Sequence, residues 1–130
     1  MTNKFKEEVW VTLQAEGIHC WADCPFEEVA YLRSPHRHVF HIKAHKKVTH
    51  SDRDVEFIML KHEMEQYLWD MFFDKKLKLH NFRTYSCEWI AHNLITRFDL
   101  SRCEVSEDNE NGAIIEVTED MVTESENSET

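Results

Sequence analysis

Hydrophobic and polar residues alternate along two long segments in the first half of the chain. Between residues 5 and 19 the odd positions are mostly apolar and the even positions mostly polar, which predicts a strand with one buried face that ends at His19. Alternation returns between residues 36 and 49, where His36 and His38 share a face with Phe40. Residues 20–35 contain both prolines of the chain and follow no period, so we expect a loop with a short helical turn around residues 27–31.

The middle of the chain changes to a helical period. Residues 51–54, Ser-Asp-Arg-Asp, are short polar side chains of the kind that cap a helix, and the apolar positions after them recur at helical spacing as far as Phe72. Residues 74–83 are basic and irregular. Ser86 then predicts the cap of a second helix, whose apolar positions extend to Phe98. We therefore expect two consecutive helices joined by a loop.

Two short alternating segments follow the second helix. Cys103 and Val105 alternate with charged neighbours, residues 109–112 (Asn-Glu-Asn-Gly) predict a hairpin turn, and residues 113–117 return as a strand. The element order is therefore β-β-α-α-β-β. This order favours an α+β domain in which an antiparallel sheet carries its helices on one face.

Length and composition restrict the class of protein. A chain of 130 residues has the size of one domain. No stretch approaches the roughly 20 apolar residues that a membrane helix needs, and the first residues lack the apolar run of a signal peptide. We therefore expect a cytoplasmic protein, in which the four cysteines stay reduced.

The charge of the chain is distributed unevenly. The net charge is −10, but residues 104–130 carry ten acids and no base, which leaves 15 acids and 15 bases in residues 1–103. The acidic balance gives no reason to expect a nucleic acid or an anionic membrane as partner. Residues 119–130 combine Ser, Thr and Glu with few apolar residues, so we expect a folded domain over residues 1–118 and an acidic disordered tail after it.

The histidines are the residues of the sequence that most indicate a metal site. There are nine, and His36 and His38 project from the same face of the second predicted strand. His19, at the end of the first strand, is the candidate third ligand of a zinc site with one open position, which is the arrangement of a catalytic zinc. Incidental strand histidines are the alternative interpretation, and the spacing of the residues leaves both open.

Several short motifs occur in the order expected of one family. They are His19 at the end of strand one, His36-Arg37-His38 opening strand two, the apolar alternation over residues 39–42, Val55-Glu56-Phe57 with Leu60-Lys61 at the first helix, Ser86-Cys87-Glu88 at the second, and Val105-Ser106-Glu107 before the hairpin. On these motifs the chain resembles the superfamily of 6-pyruvoyl-tetrahydropterin synthase and 6-carboxy-tetrahydropterin synthase over residues 5–118.

The resemblance implies a fold, a cofactor and a reaction. The fold is the tunnelling fold, a four-stranded antiparallel sheet with two helices on one face, which closes into a barrel by homo-oligomerisation. The cofactor is zinc, held by His19, His36 and His38. The reaction is that of a lyase acting on a dihydropterin triphosphate, with Glu107 and Glu88 as substrate-binding residues. A carboxylate suits a pterin because it accepts from a ring N–H and the neighbouring amino group together.

Two departures from the family pattern affect catalysis. Leu32 stands where the family carries a catalytic cysteine, and Lys75 stands where it carries a histidine after an aspartate that matches Asp74. Cys24 and His80 are the candidate substitutes, so the predicted catalytic set is Asp74, His80 and Cys24. The alternative is a catalytically inactive module that binds or sequesters a pterin or purine-like ligand. The sequence leaves the pathway open between folate, biopterin and deazaguanine synthesis.

Overall fold

One mixed sheet organises the computed structural model, which describes residues 4–118. The predicted tail, residues 119–130, lies outside the described residues. The sheet has six strands in the order β3-β4-β1-β2-β5-β6. The elements are β1 (Glu8–His19), a 3₁₀ helix (Glu27–Arg33), β2 (His36–Lys47), α1 (Phe57–Phe72), β3 (Phe73–Asp74), β4 (Leu79–Asn81), α2 (Cys87–Phe98), β5 (Arg102–Glu107) and β6 (Asn111–Glu116).

The α+β class is confirmed, but the expected four-stranded antiparallel sheet is wrong. Residues 74–83, expected to be irregular, contain β4, which pairs parallel with β1, and the end of β3, which pairs antiparallel with β4. Asp74 turns the chain between these strands, since its Oδ1 accepts hydrogen bonds from the backbone N–H groups of Lys76 and Leu77. Strands of two and three residues are too short to show an alternation, so the pattern could not reveal them.

The helix boundaries depend on which side chain caps the first turn. The predicted cap of α2 is confirmed, because Ser86 Oγ accepts a hydrogen bond from the backbone N–H of Trp89. For α1 the predicted cap at residues 51–54 is wrong, because the helix begins at Phe57 and the carboxylate of Glu56 accepts from the N–H of Ile58. Asp54 instead closes the preceding loop by accepting from the N–H and hydroxyl of Thr49, and these bonds lower its pKa.

The turn between β5 and β6 lies slightly earlier than predicted. Asp108 and Asn109 both adopt positive φ, at 57° and 59°. Asp and Asn are the non-glycine residues that tolerate this left-handed conformation best. Gly112, expected in the turn, instead lies within β6 opposite Ser106.

The hydrophobic core lies between one face of the sheet and the two helices. Phe40 and Ile42 of β2, Met64 and Leu68 of α1, and Leu94 of α2 are almost completely buried within it. The odd positions of β1 and the even positions of β2 contribute to this layer, as their alternation predicts. No helix within residues 4–118 combines the length and the apolar character needed to cross a membrane.

Gly17 permits a close approach at the end of this core. A Cβ atom built at Gly17 would lie 2.8 Å from the Phe82 ring and 2.9 Å from the His80 carbonyl oxygen. The Phe82 ring is fully buried and packs on Phe40 at a centroid distance of 4.8 Å. A side chain at position 17 would therefore displace the aromatic packing between β1 and β4.

We expect Gly17→Ala to destabilise the fold by about 1–3 kcal/mol, the usual cost of overpacking a core. The matched control is Gln14→Ala, an exposed change on the same strand, which should stay within about 0.5 kcal/mol of the native protein. Urea denaturation followed by tryptophan fluorescence measures both. Equal stability of the two variants would contradict the close packing at Gly17.

Candidate metal centre

Strand pairing brings the three predicted histidines together. His19 is the register partner of His36, and Gly17 is the partner of His38, so the histidines occupy one corner of the β1–β2 pair. Their positions belong to the core-facing side of the sheet, which also carries Phe40. Phe40 in turn is paired with Glu107, the last residue of β5. The register therefore places a carboxylate beside the imidazoles on the same face.

The four side chains are close enough to bind a single ion. One ligand atom from each of His19, His36, His38 and Glu107 lies within 4.8 Å of every other. The ring centroids are 4.6 Å apart for His19 and His36, and 5.0 Å apart for His36 and His38. Ligands of a tetrahedral zinc stand about 3.3 Å apart, as follows from zinc–nitrogen bonds of about 2.0–2.1 Å. Small side-chain movements would therefore bring the group to zinc geometry.

Each imidazole is oriented by a hydrogen bond from its Nδ1. The acceptors are the Tyr85 carbonyl for His19 and the Ser34 carbonyl for His36, both at 2.9 Å. For His38 the acceptor is Oδ2 of Asp108, at 2.7 Å. Carbonyl oxygens only accept hydrogen bonds, and the ionised Asp108 carboxylate does the same, so all three Nδ1 atoms carry a proton. This leaves each Nε2 as the free ligand atom, the arrangement that orients metal-binding histidines in proteins.

The surroundings of the Nε2 atoms favour a bound cation. Those of His19 and His38 are buried and have no hydrogen-bond partner with acceptable geometry among the described residues. Nε2 of His19 nevertheless lies 2.7 Å from Oε2 of Glu107, and Nε2 of His38 lies 3.6 Å from Oε1. A neutral imidazole and a carboxylate would oppose lone pairs at this distance, so a proton or a metal ion is required between them. The donor set of imidazoles and a carboxylate fits zinc.

The titration of the cluster follows from the same contacts. Burial lowers the pKa of His19, but the Glu107 carboxylate and the Tyr85 carbonyl outweigh burial and leave this pKa raised. Contact with His19 and the charges of the neighbouring histidines lower the pKa of Glu107 against the effect of burial. The Val39 N–H and the His38 ring lower the pKa of Asp108. The site therefore favours a positive charge enclosed by ionised carboxylates.

The cluster opens on one side to solvent and rests on the core on the other. His19 is buried, whereas His36, His38 and Glu107 are only half-buried. The Phe40 ring lies beneath, with its centroid 5.0 Å from that of His19 and 5.9 Å from that of His38. The partial exposure of His36, His38 and Glu107 leaves the metal position accessible to a small molecule.

The predicted catalytic residues lie outside this cluster. Cys24 is buried in the loop after β1, where its Sγ donates to the carbonyls of Phe26 and Val29. Asp74 holds the β3–β4 turn described above. The His80 ring packs in parallel on Phe82, and burial lowers its pKa. None of the three belongs to the metal-ligand group found among residues 4–118, and their catalytic roles stay predictions.

The two predicted substrate-binding residues lie in different parts of the structure. Glu107 lies in the cluster, whereas Glu88 is exposed in the first turn of α2. The buried Cys87 precedes Glu88, and burial raises its pKa to about 12 with smaller contributions from the charges of Glu107 and Glu88. A thiol with so high a pKa stays protonated at neutral pH and is unreactive.

Sequence reasoning missed Asp108 as a partner of the site. It also missed the carbonyl oxygens of Ser34 and Tyr85, which lie in connections whose course no pattern reveals. Asp108 could have been found, because it directly follows Glu107 at the end of a strand and metal-binding histidines commonly donate to a carboxylate.

Comparison with known proteins adds no family to this description. No protein-family model matches the chain, and no curated protein matches it significantly.

Asp108→Asn should weaken zinc binding about tenfold to 100-fold, because it removes the charged acceptor that orients His38. Competition with a chromophoric chelator measures the affinity. Glu110→Gln is the matched control, since it removes the same charge from an exposed residue of the same turn. Equal losses in the two variants would attribute the effect to net charge and contradict the orienting role of Asp108.

Proposed function

We propose that this protein is a divergent zinc-dependent lyase of the 6-pyruvoyl- or 6-carboxy-tetrahydropterin synthase type, acting on a dihydropterin triphosphate. The observation that carries the proposal is the cluster of His19, His36 and His38, in which each Nδ1 is hydrogen-bonded and one ligand atom of each residue lies within 4.8 Å of those of the others. When bound, zinc would polarise the side-chain oxygens of the substrate and lower the barrier to proton removal.

The chain's own residues have separate tasks in this proposal. Glu107 accepts from the N–H groups along the edge of the pterin ring, as a carboxylate can with both of its oxygens. His80 is the stronger candidate for the proton acceptor, because its lowered pKa keeps the imidazole neutral at pH 7. Cys24 is the weaker one, since its thiol is enclosed by the loop that it belongs to.

A second candidate function is a module that binds a pterin or purine-like ligand without turning it over. The position of Asp74, His80 and Cys24 outside the metal cluster favours it. Leu32 and Lys75, at the positions where the resembled family carries its cysteine and histidine, favour it as well. In this function the metal would hold the ligand and Glu107 would select it.

A homo-oligomer forms part of the proposal. Among residues 4–118, the strand β6 lies at an end of the sheet and pairs only with β5. The backbone groups on its outer side are available for pairing with another strand, which is a physical reason for assembly into a closed barrel. We further propose a cytoplasmic location, small-molecule ligands, and neither nucleic acid nor membrane as partner.

Turnover of dihydroneopterin triphosphate by the zinc-loaded protein tests the lyase proposal. We expect product by chromatography with the native protein and with His62→Ala, a control that changes an exposed histidine of α1. His36→Ala should abolish it. Binding of the pterin without product would replace the lyase by the binding module, and neither binding nor product would contradict both functions.

A further inference from the structure

We propose that Glu107 is the fourth protein ligand of the metal, so that the site is closed until an incoming ligand displaces this carboxylate. This inference rests on the proposed metal centre and concerns its regulation. It differs from the expectation of an open fourth position, which considered the three histidines alone. A four-ligand shell leaves no room for a bound water unless a ligand moves or the coordination number rises.

The position of the Glu107 carboxylate supports this assignment. Its Oε2 lies 2.7 Å from Nε2 of His19, and its Oε1 lies 3.6 Å from Nε2 of His38. These two Nε2 atoms are free to bind a metal. The carboxylate also belongs to the set of atoms within 4.8 Å of one another. A carboxylate at this point neutralises one charge of a divalent ion and completes a tetrahedron of three nitrogens and one oxygen.

The backbone at the end of β5 fixes the origin of this side chain. The N–H of Asp108 donates to the Val39 carbonyl at 2.8 Å, and the N–H of Val39 donates back to Oδ1 of Asp108 at 2.8 Å. The N–H of Glu110 donates to the carbonyl of Glu107 at 2.9 Å. Glu107 can therefore leave the metal position by rotation of its side chain without movement of the strand.

This geometry gives the carboxylate two exclusive positions. A pair of ligand N–H groups bound side by side needs both oxygens of the carboxylate, so it cannot form while one of these oxygens is bound to the metal. A ligand must therefore offer donors that attract Glu107 as well as an atom that takes its place on the metal. The site would select molecules that carry both, such as a pterin or purine edge with an oxygen-bearing side chain.

Cobalt(II) absorption spectroscopy tests the fourth ligand directly, since cobalt accepts the same nitrogen and oxygen ligands and reports its coordination number. We expect the native protein to give the intense visible bands of four-coordinate cobalt and to show little change with azide, which binds open positions. Glu107→Gln should bind cobalt at least about tenfold more weakly and should respond to azide. The full-length protein is used, and circular dichroism verifies its folding.

Two further variants make the result specific. Glu104→Gln removes a carboxylate three residues earlier on β5 and should behave as the native protein. Glu107→Asp keeps the charge but shortens the side chain by one methylene, so it should also open the site. An azide response of the native protein equal to that of Glu107→Gln, with equal affinities, would overturn the fourth ligand. Undiminished cobalt binding by His36→Ala would instead overturn the histidine centre itself.

Discussion

The register between β1 and β2 is the constraint on which the site depends. These strands pair over twelve residues each, from Glu8 opposite Lys47 to His19 opposite His36. A shift by one residue would turn every side chain of one strand to the other face and would separate the histidines. The apolar residues of both strands prevent this shift, because it would bring the core side chains to solvent. The hydrophobic core therefore fixes the metal centre.

The hydrophobic core and the candidate metal centre lie on the same face of the sheet. Along this face the side chains change from apolar to polar within a few residues. Phe40 is fully buried and supports the cluster from below, while its register partner Glu107 already belongs to the polar group. Beyond this point the buried Nε2 atoms of His19 and His38 have no hydrogen-bond partner among the described residues, and such atoms are costly to bury. A metal ion would satisfy both of them at once. The hydrogen bonds to Ser34, Tyr85 and Asp108 fix the geometry before the ion binds.

The sequence predicts the features that depend on a long pattern. The first two strands, the cap of α2 and the shared face of His36 and His38 agree with the prediction because period and side-chain direction are local properties, although both strands are shorter than the predicted ranges of residues 5–19 and 36–49. The strands β3 and β4 were not predicted, because a few residues carry no period. The start of α1 was misplaced because Glu56, and not the earlier Ser-Asp-Arg-Asp cluster, satisfies the first turn.

The site was predictable only in part for similar reasons. Strand alternation places the histidines, but the direction of the Glu107 side chain depends on contacts across three strands. The candidate bases came from a resemblance and lie on other elements.

X-ray absorption at the zinc edge of the zinc-loaded protein tests the central claim, a metal centre of histidine nitrogen and carboxylate oxygen. The account predicts about one zinc per chain with nitrogen or oxygen neighbours at about 2.0–2.1 Å and imidazole scattering. A sulfur neighbour at about 2.3 Å, or a protein that retains no zinc, would contradict it.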